Sequence, residues 1–378
     1  MIYLNNAATT LQKPPCVARA VAEAVGGLGS CGRGGHAAEL SAARTIYGTR
    51  ISLARLLGFS CPERVVFTAN ATQALNTALF GLLRPGDHVI ATDWDHNSVL
   101  RPLHALEQAG VKVDYLPADR QGGLAYHKLE ELVQPNTRLL VGTHASNLTG
   151  NLLNVSSMAE FAQRHRLVFL LDAAQTAGSI PISMEEMGVH LLAFTGHKSL
   201  MGPQGTGGLC VAPGVELRPL LSGGTGVRSF EEGQPAEYPE HLEAGTLNGH
   251  GLAGLGAAVE FLLETGVETI HAHEQALTEG FVEEVQAVDG VTLYGTFSGS
   301  RAPVVALNLA GWDPAAAADV LAEEYDIAVR PGIHCAPRMH RALGTQDTGC
   351  LRFSFGWYTT WEDIGKAVEA LKEMSRAR

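Results

Sequence analysis

The stretch from Val168 to Lys198 reads VFLLDAAQTAGSIPISMEEMGVHLLAFTGHK and decides the fold. It holds two short apolar runs, 168–171 and 191–194, and each is typical of a buried strand. The connection between them is long enough for a crossover helix, so the pattern predicts a βαβ unit in a parallel sheet. The first run leads into Asp172 and the second into Lys198. Ligands bind at the carboxyl ends of such strands, so we expect both side chains to face one crevice.

A carboxylic acid and an amine at one crevice suit pyridoxal 5'-phosphate. This cofactor needs a lysine that bonds to its aldehyde and an acid that keeps its pyridine nitrogen protonated. Lysine is also a nucleophile that burial and neighbouring charges readily tune. The alternative is a surface lysine after a buried strand, with Asp172 as a helix cap. The pattern Asp-x-x-Gln, followed one crossover later by Thr-Gly-His-Lys, favours the cofactor site.

Composition places the chain among packed enzymes. At 378 residues, with 46% hydrophobic and 17% charged residues, it is long enough for one large and one small domain. The net charge of −12 argues against nucleic-acid binding, because the phosphates would be repelled.

The sequence also bears on the compartment. It has no apolar run long enough to cross a membrane, and its first residues lack the basic and apolar regions of a signal peptide. The six cysteines are scattered and form no Cys-x-x-Cys pair, which argues against a zinc site or a disulfide framework. We therefore expect a cytoplasmic protein in a reducing compartment, with no metal.

A second motif, Ala-Asn-Ala-Thr-Gln, follows a predicted strand at 64–68 and precedes a predicted apolar helix at 74–83. A strand, a small-residue turn and a helix start form an anion cradle, because free backbone N–H groups and the helix dipole point at the anion. We predict that Asn70, Ala71 and Thr72 hold the cofactor phosphate. The alternative is a plain Thr72 N-cap.

Together with the opening Tyr-Leu-Asn-Asn-Ala-Ala-Thr-Thr at 3–10, these motifs resemble the class V aminotransferase family of fold-type I pyridoxal-phosphate enzymes. Within that family the chain is similar to group II cysteine desulfurases and selenocysteine lyases. The resemblance implies an α/β fold with a seven-stranded, mostly parallel sheet, helices on both faces, and a smaller α+β C-terminal domain. It implies a large cofactor-binding domain at 15–254. Residues 1–14 and 255–378, with a long helical region at 256–288, would form the small domain and its N-terminal segment.

The resemblance assigns three side chains to the cofactor ring. His96, in the motif Asp-His after a predicted strand, would stack on the pyridine ring and relay protons. Asn147 would donate a hydrogen bond to the phenolic oxygen, and Gln175 would touch the same oxygen. Taken alone, Asn147 is equally typical of a turn.

Further phosphate contacts follow from the same resemblance. Thr195 and His197 would reach the phosphate beside Lys198. The family usually has two adjacent hydroxyl residues at the cradle, but Ala71 takes the first place here, so one contact is missing or supplied elsewhere. Thr246, in the segment Glu-Ala-Gly-Thr, matches a residue that reaches the phosphate of the neighbouring subunit. We therefore expect a symmetric homodimer with shared sites.

The segment 330–337 reads Arg-Pro-Gly-Ile-His-Cys-Ala-Pro and opens a predicted short helix. A thiol near a helix N-terminus and beside a histidine should have a lowered pKa, and the thiolate is the form that attacks sulfur. The commoner alternative is an inert buried cysteine. By resemblance Cys335 takes sulfur from the substrate as a persulfide, with Arg330 and His334 beside the substrate. Ile333 replaces a family histidine, which leaves the proton partner of Cys335 open.

Arg352 lies in a predicted strand among apolar neighbours, and the fork of a buried guanidinium matches a carboxylate. By resemblance it binds the substrate carboxylate, and the alternative is a structural ion pair. Asn6 and Ala8, in the opening segment, are expected near the substrate. Arg33 and His36 lie in or next to a glycine-rich loop before a predicted helix at 42–57, where simple loop polarity explains them equally well.

These residues predict a cysteine desulfurase that depends on pyridoxal phosphate. It would convert L-cysteine to L-alanine and leave a persulfide on Cys335, with a small protein as the sulfur acceptor that is usual in the family. The nearest alternative is a selenocysteine lyase, since selenolate leaves more readily and its release need not involve Cys335. The second alternative is another class V activity, such as that of a transaminase or an epimerase. A non-catalytic anion- or nucleotide-binding protein that uses the glycine-rich turns comes last.

Overall fold

The computed structural model describes residues 1–30 and 36–377, so Arg33 lies outside the described residues. The strands are β1 (Ile2–Tyr3), β2 (Val65–Thr68), β3 (His88–Thr92), β4 (Lys112–Leu116), β5 (Thr137–Thr143), β6 (Val168–Asp172), β7 (Leu191–Thr195), β8 (Gly207–Val211), β9 (Val291–Tyr294), β10 (Val304–Leu309), β11 (Ile327–Ala328), β12 (Arg330–Gly332) and β13 (Cys350–Ser354). The helices are α1 (Pro15–Gly27), α2 (Ala37–Leu56), α3 (Ala71–Leu82), α4 (Asn97–Gln108), α5 (Leu129–Leu132), α6 (Val155–His165), α7 (Gly249–Thr265), α8 (Val267–Val285), α9 (Pro314–Tyr325), α10 (Pro337–Leu343) and α11 (Trp361–Arg376).

The central feature is a seven-stranded sheet in the order β2-β8-β7-β6-β5-β3-β4. Only β8 runs against the others, and it lies between β2 and β7 rather than at the edge. Strands β3 and β7 are buried along their whole length, and β6 is buried except at Val168, which is why the sequence shows them as apolar runs. The predicted α/β fold with a mostly parallel sheet is confirmed.

The connection between β6 and β7 differs from the prediction. The two strands pair in parallel, with Leu170 opposite Leu191, but residues 173–190 form turns and no helix. Gly178 has φ +91°, and a Cβ on it would lie 2.5 Å from the backbone oxygen of Ser199. Pro181 interrupts the connection three residues later. The expected crossover helix was therefore wrong, because this connection packs closely against the loop that carries Lys198.

Helix boundaries were predicted less well than strands. The α3 and α2 helices begin three and five residues earlier than predicted, at Ala71 and Ala37. The long helical region after 255 is two helices that meet at Gly266, whose φ is +85°. Helix α9 begins behind Asp313, whose Oδ1 accepts from the N–H of Ala315 at 2.9 Å. In the described part of the chain, no helix has both the length and the apolar character that a membrane span needs.

A four-stranded antiparallel sheet, β12-β13-β10-β9, forms the second layer with α8, α9 and α11. The start of the chain joins this part, because β1 pairs in parallel with β11 and Leu4 N–H donates to Ala328 O at 2.9 Å. This pairing leads Ala7 and Ala8 to the edge of the large sheet. The proposed domain boundary between residues 254 and 255 falls inside α7 and stays a prediction.

Candidate active site

A pocket of about 220 Å³ opens where β5, β6 and β7 end. Thr143, Asp172 and Thr195, the last residues of these strands, all line it. The structure brings most of the predicted site residues together here. Those that line the pocket are Ala8, Asn70, Ala71, Thr72, His96, Asn147, Asp172, Gln175, Thr195, His197, Lys198, Arg330, His334 and Arg352.

Asp172 and Lys198 form the electrostatic centre of the pocket. Asp172 Oδ1 accepts from Ala174 N–H at 3.0 Å, and burial raises the pKa of this carboxyl although Ala174 and Lys198 oppose the rise. Burial also lowers the pKa of Lys198 to about 8. Asp172 opposes that change, whereas Arg352 and Arg330 add to it. The pocket therefore holds an acid that keeps a proton more readily than usual and an amine that loses one more readily.

The start of α3 forms one wall of the pocket. Asn70 is the N-cap, and its Oδ1 accepts from Gln73 N–H at 3.0 Å, so the alternative of a Thr72 N-cap is wrong. Ala71 and Thr72 occupy the first turn, where backbone N–H groups lack helical acceptors. Thr195 Oγ1 is buried without a hydrogen-bond partner among the described residues. These groups are free to bind an anion.

His96 belongs to a short chain of hydrogen bonds. Its Nδ1 accepts from Ser98 N–H at 3.0 Å, so the neutral ring carries its proton on Nε2. Ser98 Oγ lies 2.9 Å from the same nitrogen and 2.8 Å from Thr72 Oγ1. Burial, with Lys198 and nearby arginines, lowers the pKa of His96 to about 4, so the ring is neutral near pH 7. The sequence analysis missed Ser98, although a polar N-cap such as His96 at a helix start signals this contact.

Besides Asn70, two side-chain amides of the pocket are already partly engaged. Asn147 Nδ2 donates to His334 O at 2.6 Å, and its Oδ1 is buried without a partner in residues 1–30 and 36–377. Gln175 Nε2 donates to Ala7 O at 3.2 Å. His197 Nδ1 lies 3.1 Å from Thr9 Oγ1, which ties the Lys198 loop to the opening segment. Sequence patterns do not reveal these contacts, because they join distant parts of the chain.

Two arginines face each other across the small sheet. Arg330 of β12 pairs directly with Arg352 of β13, and both line the pocket. Like charges in such a pair are destabilising. Arg352 is 1% exposed and donates only to neutral groups, Asn147 O at 2.9 Å and Asn5 Oδ1 at 3.3 Å. Its Nε is unpaired, and it makes no ion pair within the described chain, so the alternative of a structural ion pair is wrong.

Cys335 lies beside the pocket rather than in its lining. It lines a second cavity of about 440 Å³, which shares the wall residues Thr72, His96 and Ser98 with the first. The thiol is partly exposed, unlike an inert buried cysteine. His334 and Cys335 have φ of +53° and +57°, a left-handed conformation that costs non-glycine residues about 1–3 kcal/mol each.

Two predicted residues lie elsewhere in this protomer, and their roles stay predictions. Asn6 is outside the pocket lining, and its Nδ2 donates to Ser354 O at 3.2 Å. Thr246 is exposed and lines a separate pocket with Gln73 and Glu243. Asp95 is a buried acid outside the pocket lining, whose Oδ2 accepts from Thr92 N–H at 2.7 Å and whose pKa burial raises to about 7.

The residues present fit pyridoxal 5'-phosphate. The buried and unpaired atoms of Thr195, Asn147 and Arg352 show that the pocket is built for polar groups that the protein itself does not provide. The first turn of α3 suits a phosphate, and Asp172 and Lys198 suit a pyridine nitrogen and an aldehyde.

Comparisons with known proteins identify the family and the fold. The family described as Aminotransferase class-V matches residues 2–366. A probable cysteine desulfurase of Methanothermobacter thermautotrophicus is 34% identical over 99% of this chain and 94% of the relative. The apo cysteine desulfurase of Thermococcus onnurineus has a TM-score of 0.94 at 29% identity, covering 100% of this chain and 95% of that chain. Escherichia coli CsdA, a cysteine desulfurase, gives 0.89 at 30% identity with the same coverage.

Proposed function

The chain belongs to the class-V aminotransferase family, whose members depend on pyridoxal 5'-phosphate, and we propose that it is a cysteine desulfurase. One observation carries the choice of an amino-acid substrate. Arg330 and Arg352 face each other, without a carboxylate partner in the described chain, beside Lys198 and Asp172. A bound anion would relieve this repulsion, and an amino acid brings a carboxylate next to the amine.

The proposed cofactor contacts follow the shape of the pocket. Asn70, Ala71, Thr72, Thr195 and His197 would hold the phosphate. Asp172 would face the pyridine nitrogen, and His96 the flat side of the ring. Asn147 and Gln175 would hold the phenolic oxygen. When bound, the cofactor supplies an electron sink that weakens the bonds at the substrate's α-carbon.

Arg352 and Lys198 act on the substrate. The Arg352 guanidinium binds the carboxylate with its unpaired Nε and a remaining Nη hydrogen, and Arg330 adds charge. Lys198 Nζ takes the α-proton, and its pKa of about 8 makes the neutral amine accessible near physiological pH. Ala8 lies on the pocket wall and limits the room around the substrate.

Cys335 is the proposed sulfur carrier. Its thiolate attacks the substrate sulfur, the carbon–sulfur bond breaks, and the products are a Cys335 persulfide and L-alanine. His334 donates its Nε2–H to Arg330 O at 2.9 Å, so its Nδ1 is a free acceptor. Burial lowers the pKa of His334 to about 3, however, so this ring is a weak base at neutral pH. Ile333, which replaces the family histidine, is 37% exposed and offers no proton.

The test is an assay of purified, cofactor-loaded protein for alanine and sulfide from L-cysteine, run beside L-selenocysteine. We expect Cys335→Ala to keep the visible absorption of the bound cofactor and to stop alanine release from L-cysteine. Cys61→Ala, at another partly exposed cysteine, serves as the control and should retain activity.

Three outcomes are informative. If wild-type protein releases no alanine from either substrate, the proposed function is wrong. If Cys335→Ala desulfurates L-cysteine at the normal rate, the persulfide assignment is wrong. If Cys335→Ala still acts on L-selenocysteine alone, the thiol is needed only for sulfur, as expected of the poorer leaving group.

A further inference from the structure

We propose that Arg338 is a positioning residue for Cys335, and that its ion pair with Asp93 holds the thiol-bearing loop against the His96 loop. This inference deepens the proposed function and rests on it, since it concerns how the sulfur carrier is placed. Arg338 lies in the first turn of α10, three residues after Cys335. Asp93 follows β3, three residues before His96. One ion pair therefore joins the two loops at equal distances along the chain from their reactive residues.

The contacts of this ion pair are specific. Arg338 Nε donates to Asp93 Oδ1 at 2.7 Å, and its guanidinium carbon lies 3.6 Å from the centre of the Tyr115 ring. Asp93 is fixed in turn, because its Oδ2 accepts from Ala118 N–H at 3.0 Å. The Asp93 side chain is 12% exposed and that of Arg338 is 32% exposed, so water screens the pair only in part. A guanidinium held by a carboxylate and by an aromatic face has little freedom to move.

Two further hydrogen bonds hold the loop that carries His334 and Cys335. Asn97 N–H donates to Cys335 O at 2.9 Å, and Asn147 Nδ2 donates to His334 O at 2.6 Å. Both acceptors belong to the residues with left-handed backbone. Such a conformation persists in non-glycine residues only where surrounding contacts impose it. The Asp93–Arg338 pair is the only ion pair of the described chain that joins this loop to the large sheet.

The experiment measures loop placement separately from turnover. Arg338→Met removes the charge and keeps the length of the side chain. In the cofactor-loaded protein, we expect alkylation of Cys335 by iodoacetamide, followed by peptide mass spectrometry, to become roughly fivefold faster. We also expect kcat for alanine formation to fall by a similar factor with KM for L-cysteine unchanged, because Arg352 still binds the carboxylate. Arg338→Lys should lie between Met and wild type.

Arg341→Met is the matched control, since Arg341 is an exposed arginine on the same helix. Asp93→Asn should reproduce the Arg338→Met effects, and the double variant should be no worse than either single variant. If Arg338→Met does not fold, Asp93→Asn carries the test. The proposal is overturned if alkylation and kcat match those of Arg341→Met, or if the two single effects simply add. A failure of the proposed function would instead leave no alanine to measure while the alkylation difference remained.

Discussion

At the residue scale, the most informative feature is the pair of facing arginines. Arg352 is fully buried, yet its nearest charged neighbour in the sheet is Arg330. Burial is the main reason that the pKa of Arg352 falls to about 9, and Arg330 adds to it. Repulsion between two arginines lowers the free energy of unfolding of the unliganded protein, and it favours binding of a ligand with a negative charge.

Arg352→Met should raise KM for L-cysteine roughly 100-fold, because losing one partner of a desolvated charge pair costs about 2–5 kcal/mol. The melting temperature should fall little, since the substitution also removes an unpaired buried charge. Steady-state kinetics and thermal unfolding measure the two effects.

Arg301→Met is the comparison for this prediction. Arg301 is also buried but donates to backbone carbonyls of Thr149, Thr296 and Val304. Its loss should lower the melting temperature and leave KM unchanged. An unchanged KM in Arg352→Met would contradict the carboxylate assignment.

The sequence identified individual site residues better than the contacts between them. Asp172 ends β6 and Lys198 follows β7, so parallel-sheet geometry alone placed them at one edge. The opposition of Arg330 and Arg352 depends on strand register, and the Ser98 contact with His96 depends on the fold of one turn. Neither relation has a periodic signal in the sequence.

At the scale of elements, α8 and the β6–β7 connection meet through a buried carboxyl. Glu274 of α8 is 2% exposed and accepts a hydrogen bond from Ser179 Oγ. Burial raises the pKa of Glu274 from 4.5 to about 8. Between these pH values the folded protein holds the proton and the unfolded chain does not, so this group lowers stability as the pH rises.

Glu274→Gln should therefore leave the melting temperature almost unchanged at pH 5 and raise it at pH 8. The gain in unfolding free energy at pH 8 should be on the order of 2–4 kcal/mol. Calorimetry at both pH values measures it. Glu283→Gln, at an exposed position of the same helix, should show no such pH dependence. Equal shifts at pH 5 and pH 8 would refute the account of Glu274.

Strands were predicted more accurately than helices for a physical reason. The strands β2, β6 and β7 lie within one residue of the bounds that the sequence predicted at each end. Helix ends depend on capping residues, such as Asn70 before α3 and Gly266 after α7. Neighbouring residues could often cap equally well, so the sequence does not fix which of them ends the helix. The sequence of the β6–β7 connection did not indicate that it lacks a helix, because its shape is set by packing against the Lys198 loop.

At the scale of the whole molecule, Thr246 bears on the proposed homodimer. It is exposed, and it lies in a pocket that shares no lining residue with the candidate site of its own protomer. If Thr246 completes the phosphate site of a second copy, two inactive variants should complement each other. Mixing Lys198→Ala subunits with Thr246→Asp subunits should create one intact site in each mixed dimer.

The measurement is the alanine-forming activity of the mixture. Each parent variant alone serves as the control. Each parent should have the mass of a dimer in solution and negligible activity. The mixture should recover roughly a quarter of wild-type activity if subunits exchange at random. Activity no greater than the sum of the two parents would mean that Thr246 does not act across a dimer.

The two cavities that meet at Thr72, His96 and Ser98 also bear on the expected order of product release. Lys198 lines the first cavity and Cys335 lines the second, and Thr72, His96 and Ser98 line both. If Cys335 takes the sulfur as proposed, the carbon skeleton stays beside Lys198 and the sulfur atom moves to the side chain of Cys335. We then expect alanine to leave before a sulfur acceptor binds. Such an enzyme follows double-displacement kinetics, in which reciprocal plots at several acceptor concentrations are parallel lines.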